Sequence, residues 1–217
     1  MRKRNLTLLI LSSLAVLTGI SLVVTFIFLV KFVYVPVGSM ANTVLRGDGL
    51  VIKKSFGDLT RGQVVIFKYP GDQQFYIARI VGLPGETIQL NKRSVLINDQ
   101  VLEEECVLIK PEELRSESLE ELTTERKGPY RVFYTFLEGE ADGPIEEMDE
   151  STFGLLRPYK MPDSCYFMLG DNRDNSQDSR YRGCVRRELI WGSAETIYWS
   201  QLPGGEPRWD RILMKIK

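Results

Sequence analysis

Ser39 is the first residue in this chain whose setting invites chemistry. It follows Pro36, Val37 and Gly38. Proline stiffens the chain entering a turn, and glycine admits a tight backbone approach or an unusual dihedral. A serine hydroxyl becomes a nucleophile at neutral pH only with a base beside it. The commonest base is missing, because none of the 217 residues is a histidine. A Ser-His-Asp triad and a Cys-His dyad are therefore impossible, and His-rich catalytic zinc sites are excluded too. Cys106, Cys165 and Cys184 are too few for a four-cysteine zinc site. Proton transfer is left to Lys, Asp/Glu, Tyr or Cys. The other concentration of reactive types is residues 170–181, Gly-Asp-Asn-Arg-Asp-Asn-Ser-Gln-Asp-Ser-Arg-Tyr. Nothing calls for a metal or an organic cofactor. A net charge of -1 gives no reason to expect nucleic acid.

The elements that must position these residues begin with an apolar run. Residues 6–30 read LTLLILSSLAVLTGISLVVTFIFLV without one charge. A membrane-spanning helix needs about 20 apolar residues, and a cleavable signal has a shorter core of about 7–15. The run is therefore read as a single transmembrane helix. Arg2, Lys3 and Arg4 precede it, so the positive-inside rule keeps residues 1–5 cytoplasmic and exports the remainder of the chain. Ser39 is then tied close to the outer membrane surface.

The exported part reads as short strands between turns. Apolar or β-branched runs occur at 50–52, 64–67, 75–81, 94–97, 130–137, 165–169 and 191–199, and Asn98-Asp99 is a turn signal. The expected fold is mainly β: a partly closed barrel assembled from 31–102 and 151–217. Glutamates and aspartates crowd 103–150, which is read as an inserted, solvated acidic excursion with a partly helical stretch near 111–125. Its spacing fits no calcium loop. The odd cysteine count leaves at least one thiol outside any intrachain bridge, and Cys165 and Cys184 can pair in an oxidising compartment. Residues 208–217 alternate basic and apolar types. They are read as a solvated terminal strand, with contact to anionic lipid as the alternative.

Three stretches, in this order behind a membrane anchor, resemble the boxes of bacterial type I signal peptidases. Gly38-Ser39-Met40 with Thr43 and Gly47-Asp48 resembles the serine box. Tyr76-Ile77-Ala78-Arg79-Ile80-Val81-Gly82-Leu83-Pro84-Gly85 looks like the lysine box. Residues 170–181 are very similar to the C-terminal box. The resemblance implies a signal-peptidase-like β-barrel with an inserted smaller subdomain. It also implies a Ser-Lys dyad that removes signal peptides from exported preproteins at the outer face of the bacterial cytoplasmic membrane. On it, Ser39 is the nucleophile and Ser176 orients the lysine. Asp178 and Arg180 form a supporting ion pair beside Arg79, and Met40, Val37 and Ile77 face the substrate. The peptide would lie extended against an edge strand.

At the lysine position stands Ala78. Arg79 cannot replace a base, because a guanidinium stays protonated. Losing a positioned base costs about 10²–10⁴-fold. Val37 also lacks the hydroxyl that many family members place there to hold the oxyanion. Two readings stay open: an impaired peptidase, natural or engineered, and a homologue that binds signal peptides without cutting. Lys53, Lys54 and Lys68 are expected to be solvated rather than to substitute for the base. Self-cleaving repressors, which share Ser-Lys chemistry, need a DNA-binding domain where this chain has its apolar run.

Overall fold

The computed structural model describes residues 11, 13–21, 30–54, 57–91, 94–109, 128–135 and 157–216. Residues 11 and 13–21 are helical. The rest of the apolar run, the stretch near 111–125 and most of the acidic excursion lie outside the described residues. Among the described residues no helix is long and apolar enough to cross a membrane. Val30, expected at the end of the span, opens a strand.

The strands are β1 (Val30–Tyr34), β2 (Asp48–Lys53), β3 (Val64–Phe67), β4 (Tyr76–Gly82), β5 (Thr87–Asn91), β6 (Ser94–Ile97) and β7 (Gln100–Val101). They continue as β8 (Glu105–Ile109), β9 (Arg131–Thr135), β10 (Tyr159–Lys160), β11 (Cys165–Leu169), β12 (Val185–Arg186) and β13 (Ile190–Ser200). The main sheet has seven strands in the order β1-β2-β13-β3-β4-β11-β12, with antiparallel neighbours. Register shifts in β13 and β11 curl it, as bulges do. It stays open, with β1 and β12 as its edges.

The sheet is buried on both faces at its centre, which explains the continuous apolar run of β3. Val64 and Ile66 pack with Leu50, Ile52 and Ile77 on one side. Val65 and Phe67 pack with Ala78, Ile80 and Met168 on the other. A third cluster joins Val81, Phe167 and Leu169 to Ile88, Leu90 and Val95. Those last residues belong to a second sheet, β10-β5-β6-β7, so the segment expected to form barrel also supplies a separate layer. Asn98 and Asp99 turn between β6 and β7 with φ of 51° and 65°, as a primed hairpin requires. Cys165 and Cys184 are disulfide-bonded, Cα atoms 5.6 Å apart. Cys106 lies exposed on β8.

The chain beyond β13 is largely solvent-exposed, as expected, but it is also tied back to the core. Lys215 bridges to Thr196, the Leu213 N–H donates to the Ile197 carbonyl at 2.8 Å, and Ile216 packs on the first core cluster. Arg211 and Arg208 reach back to Asp48, at 2.7 Å and 3.6 Å. Arg211 also donates to the Thr43 carbonyl at 3.1 Å. The C-terminal segment therefore clamps the loop that carries Ser39.

Candidate active site

The Ser39 loop is pinched at its base. The Val35 N–H donates to the Asp48 carbonyl and the Gly47 N–H to the Val35 carbonyl, both at 2.9 Å. Residues 36–46 must leave the sheet and return between those bonds. The Ala41 N–H closes on the Gly38 carbonyl at 3.1 Å, and the Val44 N–H on the Met40 carbonyl at 2.8 Å. Met40 is 0% exposed in the first core cluster. It anchors the loop from below and leaves its neighbour Ser39 half-buried at the surface.

Residues 170–178 supply the facing wall. A Cβ on Gly170 would lie 2.2 Å from Ser176 Oγ and 2.6 Å from the Ser39 carbonyl oxygen, so only glycine fits there. Gly38, where the sequence suggested such a need, has open space around it. The Asn172 N–H donates to the Ser39 carbonyl at 3.1 Å, and its side-chain amide to the Gly38 carbonyl at 3.1 Å. The Asp171 N–H meets Met40 Sδ at 3.3 Å.

Two bidentate ion pairs hold this wall. Arg180 donates to both Asp178 oxygens at 2.8 Å, and Asp178 accepts the Gly170 N–H at 2.9 Å. Arg79 donates to Asp171 at 2.8 and 2.6 Å and to the Gly62 carbonyl at 2.5 Å, with Tyr130 stacked on its guanidinium at 4.2 Å. Asp171 also accepts from the Thr43 hydroxyl at 2.5 Å. Arg79 and Asp171 are each 1% exposed at the side chain. Charges so buried are tolerable only when fully hydrogen-bonded, as these are.

Glu104 belongs to the stretch expected to be solvated, yet it is 3% exposed at the side chain and pairs with Arg173 at 2%. Tyr130 donates to it at 2.9 Å. Phe133 of β9 bridges to Asn172, so the flanks of the acidic excursion are docked against the site. Burial works against charge on Arg173 and Arg180, but Glu104 and Asp178 hold the two guanidiniums above their ordinary pKa. Burial likewise pushes the Tyr130 phenol well up.

Ser39, Ala78 and Ser176 line one cleft of about 1120 Å³, together with Val37, Ile77 and Asp178. Val37 is 51% exposed and Ile77 buried. Met40, Arg79 and Arg180 stand behind the cleft wall and not in it. Ala78 is 2% exposed among Phe67, Tyr69, Ile80 and Met168, and the Phe67 and Tyr76 rings stack at 5.9 Å. Those surroundings would depress an amine's pKa, but among the described residues no lysine lines the cleft. Lys53 and Lys54 are exposed. Lys68 points its amine at the Phe75 ring, 4.4 Å from its centroid. Sequence reasoning misses the roles of Gly170, Asn172 and Glu104. The Gly-Asp-Asn-Arg run is the only local signal for the first two.

The site is a cleft serine on a curled sheet, backed by buried arginine–carboxylate pairs, in a chain without histidine. Residues 6–199 match the model of the family described as signal peptidase, peptidase S26, and the chain belongs to that family. It is 34% identical to signal peptidase I of Pseudomonas aeruginosa over 172 residues, covering 71% of this chain and 56% of that protein. It is 33% identical to signal peptidase I of Pseudomonas fluorescens over 200 residues, covering 80% and 66%. The chain thus spans between half and two thirds of those relatives. A crystal structure of a signal peptidase I from Enterococcus faecalis aligns at 26% identity with a TM-score of 0.39, over 64% of this chain and 98% of that one.

Proposed function

We propose that the protein is a membrane-anchored serine endopeptidase of the signal peptidase I type, built to remove N-terminal signal peptides from exported preproteins. Its Ala78 leaves the present chain with impaired activity. The observation that carries this reading is the meeting of Ser39, Ser176 and Ala78 in one cleft whose described lining holds no lysine. In the complete reaction, Ser39 Oγ attacks the scissile carbonyl while a neutral amine takes its proton. The C–N bond then breaks as that proton passes to the leaving amine, and water releases the acyl group from Ser39. Ala78 can hold no proton, so the first step stalls. Val37 brings no hydroxyl to the oxyanion. The Ser39 amide, which donates to no acceptor among the described residues, is the donor that remains.

Exposed apolar surface supports the proposed location. In the helical residues Leu14, Val16, Leu17 and Ile20 are more than half exposed, and Phe32, Tyr34, Trp209 and Leu213 of the folded part are too. Such surfaces suit a bilayer and its interface. The reading is a single-pass protein of a bacterial cytoplasmic membrane, its N-terminus inside and its folded domain outside, touching lipid. The Cys165–Cys184 bridge suits an oxidising exterior.

Ala78 also supports a second reading, a homologue that binds signal peptides without cutting them. Incubating the purified chain and its Ala78→Lys variant with a signal-peptide substrate separates the two. Cleavage restored by the lysine supports the peptidase. Tight binding without product from either chain supports the binder.

A further inference from the structure

The cleft carries more charge than serine chemistry needs, and most of it is neutralised internally. Asp178 is taken by Arg180. Asp72 accepts from the Tyr76 hydroxyl at 2.7 Å and pairs with Arg182 at 2.9 Å, and Arg182 lies over the Tyr69 ring at 4.4 Å. Asp174 is engaged as well. Arg46 differs. It lines the same cleft and is exposed, and among the described residues its guanidinium meets no carboxylate, carbonyl or ring.

The backbone that carries Arg46 is hydrogen-bonded on both sides. Its carbonyl accepts from Arg208 at 3.1 Å. The next residue, Gly47, has a φ of +97° and bonds to the Val35 carbonyl. A Cβ on Gly47 would fall 2.1 Å from the Gln201 carbonyl oxygen, so only glycine fits that turn. Arg46 is thereby presented beside the Val35–Pro36 stretch that leads into Ser39. An uncompensated guanidinium on a cleft wall can grip a carboxylate with two parallel hydrogen bonds.

We infer that Arg46 is a subsite for an acidic side chain, Asp or Glu, on the peptide bound in the cleft. The inference rests on the signal-peptide reading of the cleft's ligand. An exposed Arg–carboxylate pair corresponds to about 1.4- to 5-fold in affinity at low salt. Salt weakens it, because the Debye length is about 10 Å at 0.1 M.

The test uses the full chain in neutral detergent and fluorescent peptides with small residues before the cut. An Asp, Asn or Lys is placed in turn at each flanking position, and binding is read by anisotropy at low and high salt. At one or more positions Asp should bind a few-fold better than Lys, and the preference should shrink with salt. Arg46→Gln should erase it, Arg46→Glu should reverse it and Arg46→Lys should keep part of it. An unchanged order of peptides across the four proteins, with their circular dichroism alike, overturns the subsite. If Arg46→Glu instead weakens binding to anionic vesicles and leaves the peptide order alone, Arg46 contacts lipid phosphate and the inference fails. If no peptide binds any of the proteins, the signal-peptide reading itself falls, and the subsite falls with it.

Discussion

Ala78→Lys tests the central claim. The side chain sits 2% exposed on β4, opposite Val65 and beside Phe67 and Met168, where the core wall opens into the cleft. A positioned general base is worth about 10²–10⁴-fold. That is about 3–5 kcal/mol off the barrier at 1.36 kcal/mol per tenfold. Threading four carbons and an amine past packed aromatic rings costs about 1–3 kcal/mol of stability. For a chain of this size the melting temperature should fall by about 2–4 °C per kcal/mol. The amine acts only when neutral, and its apolar setting lowers its pKa from about 10.4. The rate should therefore climb with pH through the lowered pKa. Stability should rise in the same direction, because between the two pKa values the unfolded chain binds the proton and the folded chain does not. The assay is single-turnover cleavage of a signal-peptide substrate, with the Ser39→Ala, Ala78→Lys double variant as the inactive control. Full cleavage by the unaltered chain would refute the missing-base argument. A folded Ala78→Lys variant with no gain would shift the defect to Val37.

Three further outcomes are expected. Arg79→Ala strands Asp171 in the interior and should lower unfolding free energy by about 3–5 kcal/mol in a denaturant titration; a loss below about 1 kcal/mol would mean the pair is not the support described. Gly170→Ala drives a methyl into Ser176 and the Ser39 carbonyl, and in the Ala78→Lys background it should cut the rate by about 10²-fold while the circular dichroism spectrum is kept. Replacing Cys165 and Cys184 by serine opens a bridge across 19 positions of sequence and should cost about 3 kcal/mol on the loop-entropy estimate. Under reducing conditions the difference from the unaltered chain should vanish.

Local pattern carries much of the fold. The runs at 64–67, 94–97 and 165–169 are strands with those bounds, because β-branched apolar stretches between turn residues have few alternatives. Ser39, Ala78 and Ser176 are legible as motif positions, and they do share a cleft. Long-range partnership is not legible. Glu104 looks like one more acid in an acidic stretch. Its burial depends on Arg173 and Tyr130, and no local periodicity announces those contacts. Asp48 with Arg208 and Arg211 is the same case across the length of the domain. The need for glycine at position 170 comes from nearby Ser176 and from Ser39, which is remote in sequence.

The clamp of Arg211 on Asp48 also sets an order of events. The two residues are 163 positions apart. At a synthesis rate of roughly 5–20 residues per second, the second follows the first by about 8–33 s. During that interval Asp48 has neither arginine, and the loop behind Ser39 lacks its tether to residue 43. The Ser39 loop is thus finished by a segment made long after it. A chain still lacking that segment carries Ser39 without the brace that fixes its loop.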